Sequence, residues 1–224
     1  MYIGNNKISA IYKGSTKISA LYKGSVKIDY GESGLTFYNW LKGDGKAYIA
    51  TDYIPKYGDV ISFKFYGTTE NKAVYGSRRT MNYNAYCLFI PDNSNYYAGY
   101  SGSVSLNSTS EEFDTKYGLL NNEVELVSSS KGLWFNNLLQ TIKLTGNNGL
   151  YPIYIFTWND TGNPDSRCFD GYIGEFIVTR DGEVIHDYKP CDYNSKIGMY
   201  DTITGTFYGN SRTTGSFTVT NKIN

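Results

Sequence analysis

Hydrophobic and polar positions along this chain alternate over short stretches and nowhere follow a convincing helical period. The clearest pattern lies in the first 31 residues. Aligned at a period of ten, residues 2–11, 12–21 and 22–31 read YIGNNKISAI, YKGSTKISAL and YKGSVKIDYG, which superimposes Tyr2/Tyr12/Tyr22, Gly4/Gly14/Gly24, Lys7/Lys17/Lys27 and Ile8/Ile18/Ile28. A ten-residue unit is too short for a helix-pair solenoid, and Lys-Ile-Ser-Ala-Ile-Tyr-Lys alternates as a strand closed by glycine does. Gly14-Ser15 and Gly24-Ser25 put Gly first in a two-residue loop, which suits type II′ hairpin turns. A small antiparallel β-meander is predicted, pairing Lys13 with Thr16, Ile11 with Ile18, Ser9 with Ala20 and Ile8 with Leu21. One face then carries Ile11, Ile18 and Ala20, and the other Ile8, Tyr12 and Leu21. Both faces are partly apolar, and strands this few and short cannot cover them alone. Either neighbouring chains supply the cover or the meander folds back on its own domain. Ile8, Ile11, Tyr12, Ile18, Leu21, Tyr22 and Ile28 are the candidate anchoring or oligomerising residues.

The repeat stops at Gly31-Glu32-Ser33-Gly34, a hinge-like boundary between a segment 1–31 and a domain 32–224. Beyond it, runs rich in β-branched and aromatic residues predict strands at Lys46–Ile54, Asp59–Tyr66, Ala85–Ile90, Glu123–Val127, Thr141–Leu144, Pro152–Trp158, Tyr172–Arg180 and Glu183–Tyr188. Turn residues separate them: Gly43-Asp44-Gly45, Pro91-Asp92-Asn93, Gly146-Asn147-Asn148-Gly149 and Asp181-Gly182, the last a type I′ hairpin signal. This density of strands predicts an all-β fold, an antiparallel two-sheet jelly-roll sandwich preceded by the three-repeat meander.

Composition narrows the picture. The chain has 224 residues, 40% hydrophobic and 17% aromatic, which excludes disorder, collagen and coiled coil and suffices for one good-sized core. No stretch approaches the roughly 18 apolar residues of a membrane span, and the opening residues lack a basic and then apolar leader, so neither membrane insertion nor an export signal is expected. Cys87, Cys168 and Cys191 are odd in number and lack C-x-x-C spacing, which suggests neither a disulfide framework nor zinc and fits assembly in a reducing compartment. Net charge is zero, yet residues 1–30 carry five lysines against Asp29 alone. This is either a solvated repeat edge or a basic foot that docks on an acidic partner. Nucleic acid is not indicated, because the lysines follow the structural period and no arginine cluster accompanies them.

Catalytic chemistry is sparse. His186, the sole histidine, sits beside Asp187 in a predicted strand, where neighbours point to opposite faces, and no G-x-S-x-G is present, so a surface or cross-strand histidine is expected. Glu123 and Glu125 share a strand face as a sandwich glycoside hydrolase requires, but Val127 and Ser128 stand where the E-x-D-x-E and E-x-D-x-x-E strands of such enzymes carry a third acid. Solvent-facing charge is the expectation, and no catalytic residue, metal or cofactor is assigned. Asp44, Asp52 and Asp165 leave open an ion held with loop carbonyls, a geometry of no fixed spacing. Tyr96, Tyr97 and Tyr100 in an Asn/Ser/Gly-rich loop, and Trp158 before Asn159-Asp160, are the candidate ligand contacts. Rings beside amides can stack on a sugar and bind its hydroxyls, or serve a wet protein interface.

The C-terminal third carries a resemblance. Pro152-Ile-Tyr-Ile-Phe-Thr-Trp-Asn159, Gly171-Tyr-Ile-Gly-Glu-Phe-Ile-Val178, Tyr188-Lys-Pro-Cys191, Ile197-Gly-Met-Tyr-Asp201, Thr204-Gly-Thr-Phe-Tyr208 and Gly215-Ser-Phe217 resemble the closing strands of the laminin-G-like, concanavalin-A-type jelly roll of gut-bacteriophage virion and fibre proteins. Gly43–Ile54 resembles the first core strand of that family, and the likeness spans about residues 35–220. The Y-x-G-x-x-K-I repeats are similar to segments that precede such domains in phage structural proteins. With three repeats and one jelly roll, the chain is most similar to a short head fibre of crass-like phages or a capsid decoration. The resemblance implies a non-enzymatic module on the virion surface, assembled in the host cytoplasm. It implies a homotrimer attached to capsid or other fibre proteins through residues 1–31 and open to host-surface or mucus glycans. The alternative is a carbohydrate-binding, lectin-like adhesion module.

Overall fold

The computed structural model describes residues 34–79, 84–90, 97–102, 118–141 and 144–223, with only the backbone at Tyr97, and before residue 34 the backbone of six short strands. Those six form three hairpins, one per repeat: β1 (Tyr2–Ile3) with β2 (Asn6–Lys7), β3 (Tyr12–Lys13) with β4 (Thr16–Lys17), and β5 (Leu21–Lys23) with β6 (Val26–Ile28). Lys13 pairs with Thr16 and Tyr12 with Lys17, which is the predicted register, and Leu21 pairs with Ile28. The further meander pairings, through Ile8, Ser9, Ile11, Ile18 and Ala20, lie outside the described residues, as do the side chains of Tyr12, Leu21, Tyr22 and Ile28.

The rest is a two-sheet sandwich, and no helix occurs among the described residues. The larger sheet has eleven strands: β7 (Leu35–Phe37), β8 (Trp40–Gly43), β10 (Val60–Tyr66), β14 (Glu123–Ser129), β15 (Gly132–Phe135), β16 (Leu138–Gln140), β20 (Tyr172–Arg180), β21 (Glu183–Tyr193), β22 (Lys196–Asp201), β23 (Thr206–Gly209) and β24 (Phe217–Thr220). Their order is β16-β15-β14-β10-β20-β21-β22-β23, with β8 also beside β20, β24 beside β8 and β7 beside β21. The smaller sheet contains β9 (Ile49–Ala50), β11 (Lys72–Arg78), β12 (Ala85–Ile90), β13 (Tyr97–Gly102), β17 (Tyr154–Ile155), β18 (Asn159–Asp160) and β19 (Asn163–Pro164), ordered β13-β12-β11-β17-β9. Pairing between named strands is antiparallel except where β18 runs parallel to β11.

Aromatic side chains join the sheets. Phe63 of β10 stacks on Phe176 of β20 at 4.9 Å and meets Tyr75 of the opposing β11 edge-on at 5.0 Å. Each such ring removes about 150–250 Å² from water, so this seam accounts for much of the driving force for sheet-on-sheet packing. β12 is buried on both faces: Tyr86, Leu88 and Ile90 enter the main core, while Ala85, Cys87 and Phe89 join Ala73 and Trp158 on the other side. That double burial explains its unbroken apolar run. The three cysteines are free and buried.

Several predicted strands differ from the observed ones for local reasons. Within Lys46–Ile54 only Ile49–Ala50 is a strand, because the Thr51 N–H and hydroxyl both bond to the Ile153 carbonyl and the following chain turns onto Asp59. Pro152–Trp158 is interrupted at Phe156, held at φ 69° with its N–H on the Val74 carbonyl. At 141–144 neither described end residue is in a strand, and β16 lies just before. The Asp181-Gly182 turn has φ 52° and 86°, as a type I′ turn requires.

Candidate functional site

On the face of the larger sheet turned away from the core, a groove of about 540 Å³ crosses β14, β10, β20 and β21. A bulge creates its floor: Phe63 pairs with Phe176 and Phe65 with Ile173, so Gly174 and Glu175 together oppose Lys64 alone. At Gly174 a side chain is missing where the Trp40 ring, the Asn39 carbonyl and the Lys64 Cβ converge. Tyr38, Asn39 and Trp40 form one wall, and Glu123, Glu125, Glu175, Lys64 and Lys189 bring charge to the lining. Asn39 is itself fixed at the chain's other end, its N–H and side-chain amide donating to the Asn221 Oδ1 and carbonyl, each at 3.2 Å.

The charges alternate across the strands. Glu125 stands opposite Lys64, whose Nζ lies 2.6 Å from Glu123 Oε1. One strand further, Lys189 Nζ is 2.7 Å from Glu175 Oε1 and 3.4 Å from Asp187 Oδ2. The hydrogen bond to Glu123 raises the Lys64 pKa. Burial, joined by the adjacent Glu175 carboxyl, raises that of Asp187, whereas Lys189 holds Glu175 low against the cost of Glu175's own burial. Glu125 makes no ion pair among the described residues. This array offers acceptors, donors and a ring wall. Glu123 and Glu125 do flank a groove, and both are exposed on one face of β14.

The residues nominated from sequence go elsewhere. Tyr100 and Trp158 are fully buried, which overturns their assignment as ligand contacts. Tyr100 donates to the Asp59 carbonyl at 2.6 Å and accepts the Gly58 N–H at 2.8 Å. Trp158 stacks on Phe89 at 4.9 Å beneath the Arg78 guanidinium, 3.9 Å from its ring. Tyr96 and the Tyr97 side chain lie outside the described residues. His186 is a cross-strand histidine, and its partner is Asp201, at 2.8 Å, not the adjacent Asp187. Asp44, Asp52 and Asp165 are each engaged by protein donors: the Lys46, Ala47 and Ser216 N–H groups, the Tyr208 hydroxyl, and a bidentate Arg167. Among the described residues no three His, Cys, Asp or Glu side chains gather as a metal site, and no helix is long and apolar enough to cross a membrane.

The sequence pattern singles out Glu123 and Glu125 only as solvent-facing charge, and it does not point to Tyr38, Trp40, Lys64, Gly174, Glu175 or Lys189. These come from segments far apart in the chain, and no local spacing connects them. No protein-family model and no curated protein matches the chain.

Proposed function

We propose that the chain is a non-enzymatic structural protein of a phage virion surface, a head fibre or capsid decoration, anchored by residues 1–31 and displaying the sandwich as a binding module. The observation that carries this reading is the separation of the repeats from the sandwich. Each repeat makes its own hairpin, and the eleven- and seven-stranded sheets are complete without any of those strands. The repeats' five lysines against one aspartate suit an acidic partner, and the resemblance of the closing strands to phage jelly rolls supplies the context. Buried thiols, with Cys87 and Cys191 pushed up to about 12 by burial, agree with assembly in a host cytoplasm. Trimerisation would multiply weak contacts of three modules into useful avidity.

Light scattering on the full chain beside residues 32–224 tests the reading. A trimeric full chain and a monomeric truncation are expected. Monomers in both would remove the assembly role of residues 1–31. The groove favours the second reading, a lectin-like adhesion module whose repeats only cap the fold, and binding on a glycan array by a monomeric full chain would select it.

A further inference from the structure

The groove over Gly174 carries an inference that rests on the sandwich being a displayed binding module. Its lining alternates between groups that only accept hydrogen bonds and groups that only donate them: Glu125, then Lys64, then Glu175, then Lys189, on four neighbouring strands. A hydroxyl group does both, so a polyol can satisfy each member of the row. An anion would meet three carboxylates, Glu123, Glu125 and Glu175, against two ammonium groups, and a cation would leave the lysines unmatched. Neighbouring strands lie about 4.8 Å apart, close to the length of one pyranose unit in an extended chain. The half-buried Tyr38 ring adds apolar surface of the kind that sugar faces cover, and the buried Trp40 backs the groove with the edge of its ring. The standing Lys64–Glu123 pair has side chains 53% and 46% exposed, so exchanging it for hydroxyl contacts costs little.

Gly174 is the independent observation. Its backbone is outside the left-handed region, and a Cβ there would sit 3.4 Å from the Asn39 carbonyl, 3.5 Å from the Trp40 ring and 3.7 Å from Lys64 Cβ, all ordinary contacts. Neither conformation nor local packing requires glycine at this position. What its missing side chain does is keep the groove open beside the Trp40 ring.

We infer that this groove binds an extended, uncharged oligosaccharide, with Tyr38 against a sugar face, the edge of the buried Trp40 behind it, and Glu125, Lys64, Glu175 and Lys189 bonded to successive hydroxyls. The test is calorimetric titration of the full chain with neutral cello-, laminari-, manno- and chito-hexaose, with sulfated and sialylated oligosaccharides as charged controls. At least one neutral hexaose binds at millimolar or tighter affinity, and the charged controls bind more weakly. Gly174→Ala keeps that affinity, while Gly174→Phe and the exposed Glu125→Gln each weaken it by about tenfold or more at an unchanged thermal midpoint. Absence of binding by every neutral probe, tighter binding of the charged controls, or wild-type affinity in Glu125→Gln overturns the proposal. New reducing ends released from the bound hexaose by wild type but not by Glu125→Gln would overturn a binding-only groove. A trimer that binds no neutral probe removes the glycan groove and leaves the display reading, whereas a monomer that binds through Glu125 does the reverse.

Discussion

At the scale of single residues, the ion pairs divide by burial. Asp59 is almost fully buried and receives Arg180 through two bonds of 2.7 and 2.9 Å, the Tyr53 hydroxyl at 2.7 Å and the Lys56 N–H at 2.8 Å. Removing Arg180 leaves that carboxylate buried without its counter-charge, so Arg180→Ala is expected to cost about 3 kcal/mol. Lys64→Ala, which breaks an exposed pair, is expected to cost under about 1 kcal/mol. Urea unfolding of the two variants checks the contrast, and equal losses would refute it. Asp201 gives the acid response its sign. Burial alone would raise its pKa, but His186, the Asp187 and Ile203 N–H groups and the Thr204 hydroxyl hold it at about 2, below the usual 3.8. A depressed carboxylate contributes stability that is whole above the unfolded value and is lost as pH falls from about 4 through about 2. Its share is about 2 kcal/mol. Asp201→Asn should therefore be less stable than wild type at pH 7 and show a flatter loss between pH 4 and 2. Parallel acid limbs in urea titrations would refute that.

At the scale of elements, β24 shows how one strand holds a site it does not line. It pairs with β8 from Phe217↔Gly43 to Thr220↔Trp40, and Phe217 packs on Phe156 at 4.9 Å. Phe217→Ala should cost about 3 kcal/mol and lower the thermal midpoint by about 10 °C. It should also loosen the Trp40 wall, which tryptophan fluorescence would report, and an unchanged midpoint would show that β24 contributes little. Elements were also where the sequence was most readable. Ala85–Ile90 and Tyr172–Arg180 coincide with β12 and β20, because each is dense in aromatic and branched residues and flanked by breakers. β21 continues past its predicted end at Tyr188, since Pro190 still offers the carbonyl that accepts the Tyr38 N–H. The break at Phe156 was not readable, because its backbone turn is imposed by Val74 on another strand. The groove was hidden for the same reason: a bulge at Gly174 appears only once β10 and β20 are in register. Aromatic residues rich in loop neighbours, Tyr100 and Trp158, looked like ligand contacts in one dimension and are core in three.

At the scale of the whole molecule, the groove wall follows the repeat segment closely in the chain. Gly34 precedes β7, and directly after β7 the chain becomes the groove wall, Tyr38 to Trp40. β7 lies antiparallel to β21 through Leu35↔Tyr193, Thr36↔Asp192 and Phe37↔Cys191. In the proposed fibre, tethered at its repeats and gripping a surface through the groove, tension would enter along the axis of β7. Its ladder to β21 would be loaded in shear, with the paired bonds sharing the force and not peeling one at a time. Load would thus enter the sandwich through β7 and β8 of a single sheet, and in such a fibre the sandwich would serve as a rivet head on the strand that carries it.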